Sequence, residues 1–283
     1  MWSDEKMLLL SSPNGGGMAI FDQRHWHVID RVSTTGIGSD DEFFVRSVQQ
    51  EDHADLVVQH LSGRTRRLRF GEFSDIHDVY VKNGFIYAVS TGTNEIVCLS
   101  ARSGEIVSRR TFPGEPDSMH LNCLDEWNDR LVVSAFGRFA KHREYKGSAP
   151  LNGLVMDVQT GEDVWGQLTE PHSPRQAGAY YLICDSGTGR LLISDGAEVR
   201  AEIPLGGYPR GIAITDEIVA IGISGHRRQE DAGIARVRTI DLRTLQLVNE
   251  IPVPFREIYD LRFIPVSLAT QLKPVRGGWP DVR

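Results

Sequence analysis

The 283-residue sequence predicts an all-β fold, a six-bladed β-propeller whose ring is closed by strands from both ends of the chain. Three observations predict it. Segments with helical spacing are scarce, whereas short alternating or β-branched runs bounded by Gly, Asp and Asn recur throughout. Four runs align by their first strands, and the matched residues His77, His120, His172 and Arg210 are separated by 43, 52 and 38 residues. Propeller blades repeat at about 40–50 residues. The third observation is an orphan: IYDLRF (258–263) resembles IHDVYV (76–81) but has no strands after it, while strand-like segments at the amino end lack a first strand.

Taken in order, MLLLSS (7–12), MAIFD (18–22) and HVIDRV (27–32) supply the second, third and outer strands of the blade that 258–263 begins. Such closure removes the exposed edges that template aggregation. DEFFVR (41–46) is read as the first strand of the next blade, followed by DLVVQHLSGRTRRL. IHDVYV (76–81), MHLNCL (119–124), PHSPRQ (171–176) and PRGIAI (209–214) open the remaining four. Each runs through a polar turn into a returning strand, then an outer hairpin such as LSARSGEIV, MDVQTGEDV or IDLRTLQLV. No Pro/Ser/Gly-rich tract interrupts the repeat, so residues 1–283 are expected to form a single domain.

Composition narrows the function classes. A hydrophobic content of 40% suffices for a substantial core. A formal charge of -7, from 31 basic and 38 acidic residues, gives no footprint for nucleic-acid or anionic-membrane binding. The apolar run near the amino end is far too short for a signal-peptide core or a membrane span, which predicts a cytoplasmic protein. Cys98, Cys123 and Cys184 are widely separated and lie in apolar contexts, as buried small hydrophobes do.

First strands of propeller blades share one axis, and the aligned column reads Asp41, His77, His120, His172, Arg210 and Tyr259. Three histidines from consecutive blades suit a divalent metal (Zn, Fe, Mn or Ni), with open positions for water or substrate. The alternative is that they hydrogen-bond waters and carbonyls of a polar channel. Pro171 and Pro174 flank His172, and each is expected to hold the residue before it extended. Tyr259, Glu257 and Asp41 are the candidates for proton transfer. Arg210, Asn122, Arg175, Asp185 and Ser186 are the candidates for substrate binding, Arg210 by bidentate pairing with a carboxylate or phosphate. Two turns are enlarged, 137–153 and 225–234, and the first carries Arg138, Lys141, His142, Arg143 and Lys146 in an otherwise acidic protein. SPNGGGM (12–18) lacks the lysine of a phosphate loop, and neither H-E-x-x-H nor G-x-S-x-G occurs.

His77-Asp78, His120-Leu121-Asn122, Pro171 to Arg175, Asp185 to Gly189, Arg210-Gly211 and Glu257 to Asp260 occur in order at blade spacing. In these motifs the chain resembles a bacterial family of largely uncharacterised six-bladed propellers. The resemblance spans nearly the whole sequence and implies the fold; it implies no activity. A looser similarity links the arrangement to metal-bearing propellers such as lactonases, virginiamycin-type lyases and glutaminyl cyclases. The expectation is a metal-dependent lyase, isomerase or hydrolase acting on a small, oxygen-rich, anionic molecule. The alternative is a non-enzymatic propeller that binds a peptide, a glycan or a biosynthetic partner.

Overall fold

Alternation of apolar and polar residues, broken by turn-forming pairs, dictates nearly every element of the chain. Asn83-Gly84 and Asn128-Asp129 both lie at positive φ (53° and 77°; 49° and 62°), the backbone that tight two-residue hairpins require. A computed structural model describes residues 2–225 and 234–275. In chain order its strands are β1 (Lys6–Ser12), β2 (Gly17–Phe21), β3 (Trp26–Asp30), β4 (Thr34–Ser39), β5 (Phe43–Val48), β6 (Ala54–His60), β7 (Thr65–Phe70) and β8 (Ile76–Lys82). There follow β9 (Phe85–Ser90), β10 (Glu95–Ser100), β11 (Ile106–Thr111), β12 (Leu121–Trp127), β13 (Arg130–Ala135), β14 (Gly153–Asp157), β15 (Asp163–Leu168) and β16 (Pro171–Ala177). The last are β17 (Tyr180–Asp185), β18 (Arg190–Ser194), β19 (Val199–Pro204), β20 (Tyr208–Ile214), β21 (Ile218–Ser224), β22 (Arg236–Asp241), β23 (Leu247–Pro252) and β24 (Asp260–Pro265).

They form six four-stranded antiparallel sheets, the blades of a six-bladed propeller. One sheet has the order β24-β1-β2-β3, so both ends of the chain build one blade, as the orphan strand predicts. The blade after it corrects the sequence reading. Its first strand is β4, and Phe43–Val48 is its second strand. Asp41 therefore lies exposed in the β4–β5 turn, outside the aligned column. Asp40 Oδ1 accepts the N–H groups of Glu42 and Phe43 there, which ties the turn. Thr34–Ser39 escapes a propensity reading because Gly36 and Gly38 are poor strand residues. Packing demands them: a Cβ on Gly36 would lie 2.4 Å from the Asp78 Cα.

By contact density the chain divides into two compact units, one holding residues 2–34 and 177–275, the other residues 35–176. In the first unit, two apolar clusters are centred on Leu8, Leu10, Val237 and Leu261, and on Leu182, Leu191, Ile221 and Ile240. In the second, the clusters are centred on Val45, Leu56, Ile86 and Leu99, and on Leu121, Val133, Leu154 and Met156. Three of the first strands, β8, β12 and β20, are bulged. Pairing slips between Ile76 and Asp78, between Leu121 and Leu124, and between Arg210 and Ile212. An extra residue in one strand re-aims a side chain, and His77 is itself such a residue.

Candidate functional site

In the second unit, three consecutive blades place an acidic residue at positive φ just ahead of the predicted histidine. Asp75 (φ 51°) stands two residues before His77, Asp117 (φ 53°) three before His120, and Glu170 (φ 51°) two before His172. Asp is among the side chains that tolerate this left-handed backbone best. The sharp bend folds the acid back onto its own histidine. Asp75 Oδ1 lies 3.3 Å from His77 Nε2, and Asp117 Oδ1 lies 2.8 Å from His120 Nδ1. Glu170 contributes its carbonyl instead, 3.0 Å from His172 Nδ1. The expected extended backbone ahead of each proline is corrected: Glu170 and Ser173 both take positive φ (51° and 55°). Pro171 restricts its neighbour, but the start of the strand selects the bend.

The His77 and His120 rings meet edge to face with centroids 4.9 Å apart. Their hydrogen bonds assign opposite protonation states. Asn122 Nδ2 donates to the His120 carbonyl at 2.9 Å, which turns its Oδ1 toward His77 Nδ1 at 3.2 Å. His77 thus faces an oxygen acceptor at each nitrogen, an arrangement that only the imidazolium satisfies with two donors. Burial opposes that charge most strongly, but the Asp75 carboxylate, Asn122 and Asp117 outweigh it and raise the His77 pKa. His120 has one acceptor, Asp117. Burial dominates there, helped by the neighbouring His77 charge, and holds His120 down to about 4. At neutral pH His120 is the neutral Nδ1–H tautomer, with Nε2 as its basic nitrogen.

Sequence reasoning singled out Arg143 only as one of the basic residues of an enlarged turn, and it missed Tyr145 and the hold that both have on Asp117. Both residues come from the enlarged turn between β13 and β14. Arg143 donates from Nε to Asp117 Oδ2 at 2.6 Å, and its backbone N–H donates to the Asp117 carbonyl at 3.1 Å. Tyr145 donates its hydroxyl to the same Oδ2 at 3.1 Å. Burial alone would raise the Asp117 pKa, but His120 and Arg143 hold it below the usual carboxylate range. Phe136, Tyr145 and Ala149 make a small apolar cluster under the turn. Against it the His120 ring packs, with centroids 4.4 Å from both Phe136 and Tyr145, while Phe136 also contacts His172 at 5.4 Å. The signal available in the sequence was the acid two or three residues before each histidine.

The remaining candidates fall elsewhere. Asn122 joins the histidine pair, as just described. Arg175 is buried and spends Nη1 on the carbonyls of Leu124 and Pro174, at 3.3 and 2.8 Å. In the first unit, Arg210, Glu257 and Tyr259 come together. Arg210 ion-pairs with Glu257 and lies between the rings of Tyr208 and Tyr259, at 5.3 and 5.2 Å, and Glu257 Oε2 accepts from Asn14 at 2.6 Å. The guanidinium predicted for a substrate carboxylate therefore already holds a carboxylate of the chain itself. Ser186 is fully buried and donates to the Pro209 carbonyl at 2.6 Å, and Asp185 bonds the Thr188 hydroxyl. Most of the second enlarged turn, residues 226–233, lies outside the described residues.

Among the described residues, no group of three or more His, Cys, Asp or Glu side chains is placed to hold a metal ion. The donor chemistry gives the reason. A metal-binding histidine offers a lone pair, and His77 faces carboxylate and amide oxygens on both sides. His77 as arranged therefore offers no lone pair to the expected ligand set.

A family profile described as a domain of unknown function, DUF4915, matches residues 64–272. The chain belongs to this family. No curated protein matches the sequence. Solved structures share its fold at low identity. A chain of a nidogen/laminin complex superposes with a TM-score of 0.67 at 11% identity, covering 91% of this chain and 98% of that one. A Bacteroides caccae protein of unknown function gives 0.65 at 11% identity, covering 92% and 99%. A candidate 6-phosphogluconolactonase from Bacteroides fragilis NCTC 9343 gives 0.61 at 12% identity, covering 93% and 99%. Among the described residues, no helix is long and apolar enough to cross a membrane.

Proposed function

We propose that this DUF4915 protein is an enzyme that removes a proton from a small, oxygen-rich, anionic substrate, in a lyase or isomerase reaction centred on His77 and His120. The observation that carries the reading is the pair of acid-backed histidines, 4.9 Å apart, with pKa values displaced in opposite directions. Adjacent groups driven apart in this way divide the acid and base roles between them. His120 Nε2 accepts the proton from a carbon next to a carbonyl or carboxylate. Asp117 then stabilises the imidazolium that forms and keeps the ring in the required tautomer. The positive charge of protonated His77, backed by Asp75, stabilises the negative charge left on the substrate oxygen. His77 has a side chain 15% exposed and His120 one 17% exposed, enough for a small molecule to reach. Buried free thiols at Cys98, Cys123 and Cys184 accord with a reducing, cytoplasmic setting.

The test is deuterium exchange. A panel of 2-hydroxy and 2-oxo carboxylates is incubated with the protein in D2O, and label at the acidic carbon is read by mass spectrometry. At least one member gains deuterium, and His120→Gln slows the gain by about 10²–10⁴-fold, the usual worth of a general base. Equal exchange in the variant overturns the assignment, and anion binding without exchange anywhere in the panel makes the protein a binding module. Metal analysis of protein purified without a histidine tag runs alongside. Stoichiometric metal, lost on replacing His77, His120 and His172 together, would reinstate the three-histidine ligand set.

A further inference from the structure

The histidine pair accounts for a proton but not for the recognition of an anion, since Arg210, the guanidinium expected for that task, is 3% exposed and paired with Glu257. Of the cations in the second unit, Arg143 stands apart. Its backbone N–H and its Nε are both anchored on Asp117, the residue that also holds His120 Nδ1. Its two terminal nitrogens have no partner among the described residues, and its side chain is 41% exposed. The backbone at Arg143 is held at φ 54°, and the turn is pinned beside it by His142, whose N–H donates to Glu115 Oε2 at 2.8 Å. Its Nδ1 also lies 2.6 Å from the Pro116 carbonyl. A guanidinium fixed through Nε presents Nη1 and Nη2 as a planar two-donor fork, the geometry that matches a carboxylate or phosphate.

We infer that Arg143 is the anion-recognition residue of this site: Asp117 holds its Nε, and its two terminal nitrogens take one carboxylate or phosphate group of the molecule whose proton passes to His120. The inference rests on the proton-transfer reading for the second half of that statement only. One carboxylate, Asp117, orients both the base and the anion fork, so the distance between the substrate's anionic group and its acidic carbon is set by a single side chain. The substrate class that follows is a short carboxylic acid or phosphate ester bearing an oxygen function near its acidic carbon.

Arg143→Gln separates this role from a structural one, because the glutamine amide still donates to Asp117 but offers no fork. Glycolate and inorganic phosphate serve as probes in isothermal titration. Wild-type protein binds at least one of them, and Arg143→Gln weakens that binding tenfold or more while the ¹⁵N shifts of His120 keep the Nδ1–H tautomer. Equal affinity in the two proteins, or no binding of either probe to wild type, overturns the inference. Phenylglyoxal gives a second measurement on the unaltered protein. The bound probe slows modification of Arg143, read by peptide mass, and an unchanged rate overturns the inference even if the glutamine variant fails to fold. The preference between glycolate and phosphate separates a carboxylate site from a phosphate site. Failure of the two readings is distinguishable. Tenfold weaker binding in Arg143→Gln with deuterium exchange unaffected by His120→Gln leaves the anion site standing and removes the proton-transfer reading; the reverse pattern does the opposite.

Discussion

Two histidines of the same type acquire opposite characters here through their immediate neighbours. His77 stands between an oxygen of Asp75 and one of Asn122, while His120 shares its single acceptor, Asp117, with Arg143 and Tyr145. The consequence for pH is specific. The His120 pKa falls from 6.5 to about 4 in the folded chain, so the unfolded chain takes up that proton first on acidification. The native state therefore loses stability from this group as pH falls from 6.5 toward about 4. His77 has the opposite sign: its raised pKa contributes stability below pH 6.5 that is lost as pH rises through the raised value. Two-dimensional NMR of the ring protons is expected to show one resonance titrating near 4 and another above 6.5. For the proposed exchange reaction the same groups predict a bell, rising through about pH 4 as His120 deprotonates and falling above 6.5 as His77 does. Titration of both rings near the ordinary value would remove the assignment of acid and base.

The strands themselves follow from alternation and hairpin chemistry, and the elements that resisted sequence reading are those where close approach decided the residue. β4 is the clearest. Its Gly36 lies against the backbone of Asp78 in β8, where a Cβ would stand 2.5 Å from the Val79 nitrogen. Asp78 in turn fixes the next blade, accepting from the Leu124 N–H through Oδ2 at 2.9 Å. A propensity argument penalises glycine in a strand, while the contact between neighbouring first strands demands it. Gly36→Ala is expected to destabilise by about 1–3 kcal/mol, the usual cost of overpacking. Gly71→Ala, where a Cβ would meet nothing within 4 Å, is the control and should change the urea midpoint little. Equal midpoints for the two variants would show that β8 can give way. The β13–β14 turn is the other instance. In the sequence its basic residues are a local run of positive charge with no assigned partner, whereas in the fold Arg143 and Tyr145 are drawn back onto Asp117.

At the scale of the whole chain, one blade is assembled from both ends, and the Arg210 cluster sits where it closes. β1 pairs with β24 over Lys6 to Ser11, and Tyr259 donates its N–H to the Ser11 carbonyl at 2.9 Å. Glu257 neutralises the buried Arg210 and also takes a hydrogen bond from Asn14 in the β1–β2 turn, while Ser12 donates to its carbonyl at 2.5 Å. Removing one partner of a buried ion pair leaves an uncompensated charge. Glu257→Ala is accordingly expected to cost about 3–5 kcal/mol in denaturant unfolding. The double replacement Arg210→Met with Glu257→Leu should recover much of that loss, since apolar pairs of similar volume often replace buried ion pairs at little cost. A Glu257→Ala protein as stable as wild type would mean that the pair does not fasten the closure.

The sequence by itself determined the periodicity, the number of blades and the closure by both termini. Those features follow from alternation, turn residues and spacing, which are local. What each polar residue does was decided only in three dimensions. The sequence offers Arg210 and Glu257 as substrate and proton-transfer groups, and only the fold shows that they pair with each other. Asp75 and Asp117 were passed over because their role depends on left-handed backbone at a single residue. Arg143, in a run of basic residues, acquires its place from a carboxylate 26 positions earlier. A buried charge takes its partner, its protonation state and its availability to a ligand from whatever lies within about 4 Å of it, and for these residues those neighbours come from distant parts of the sequence.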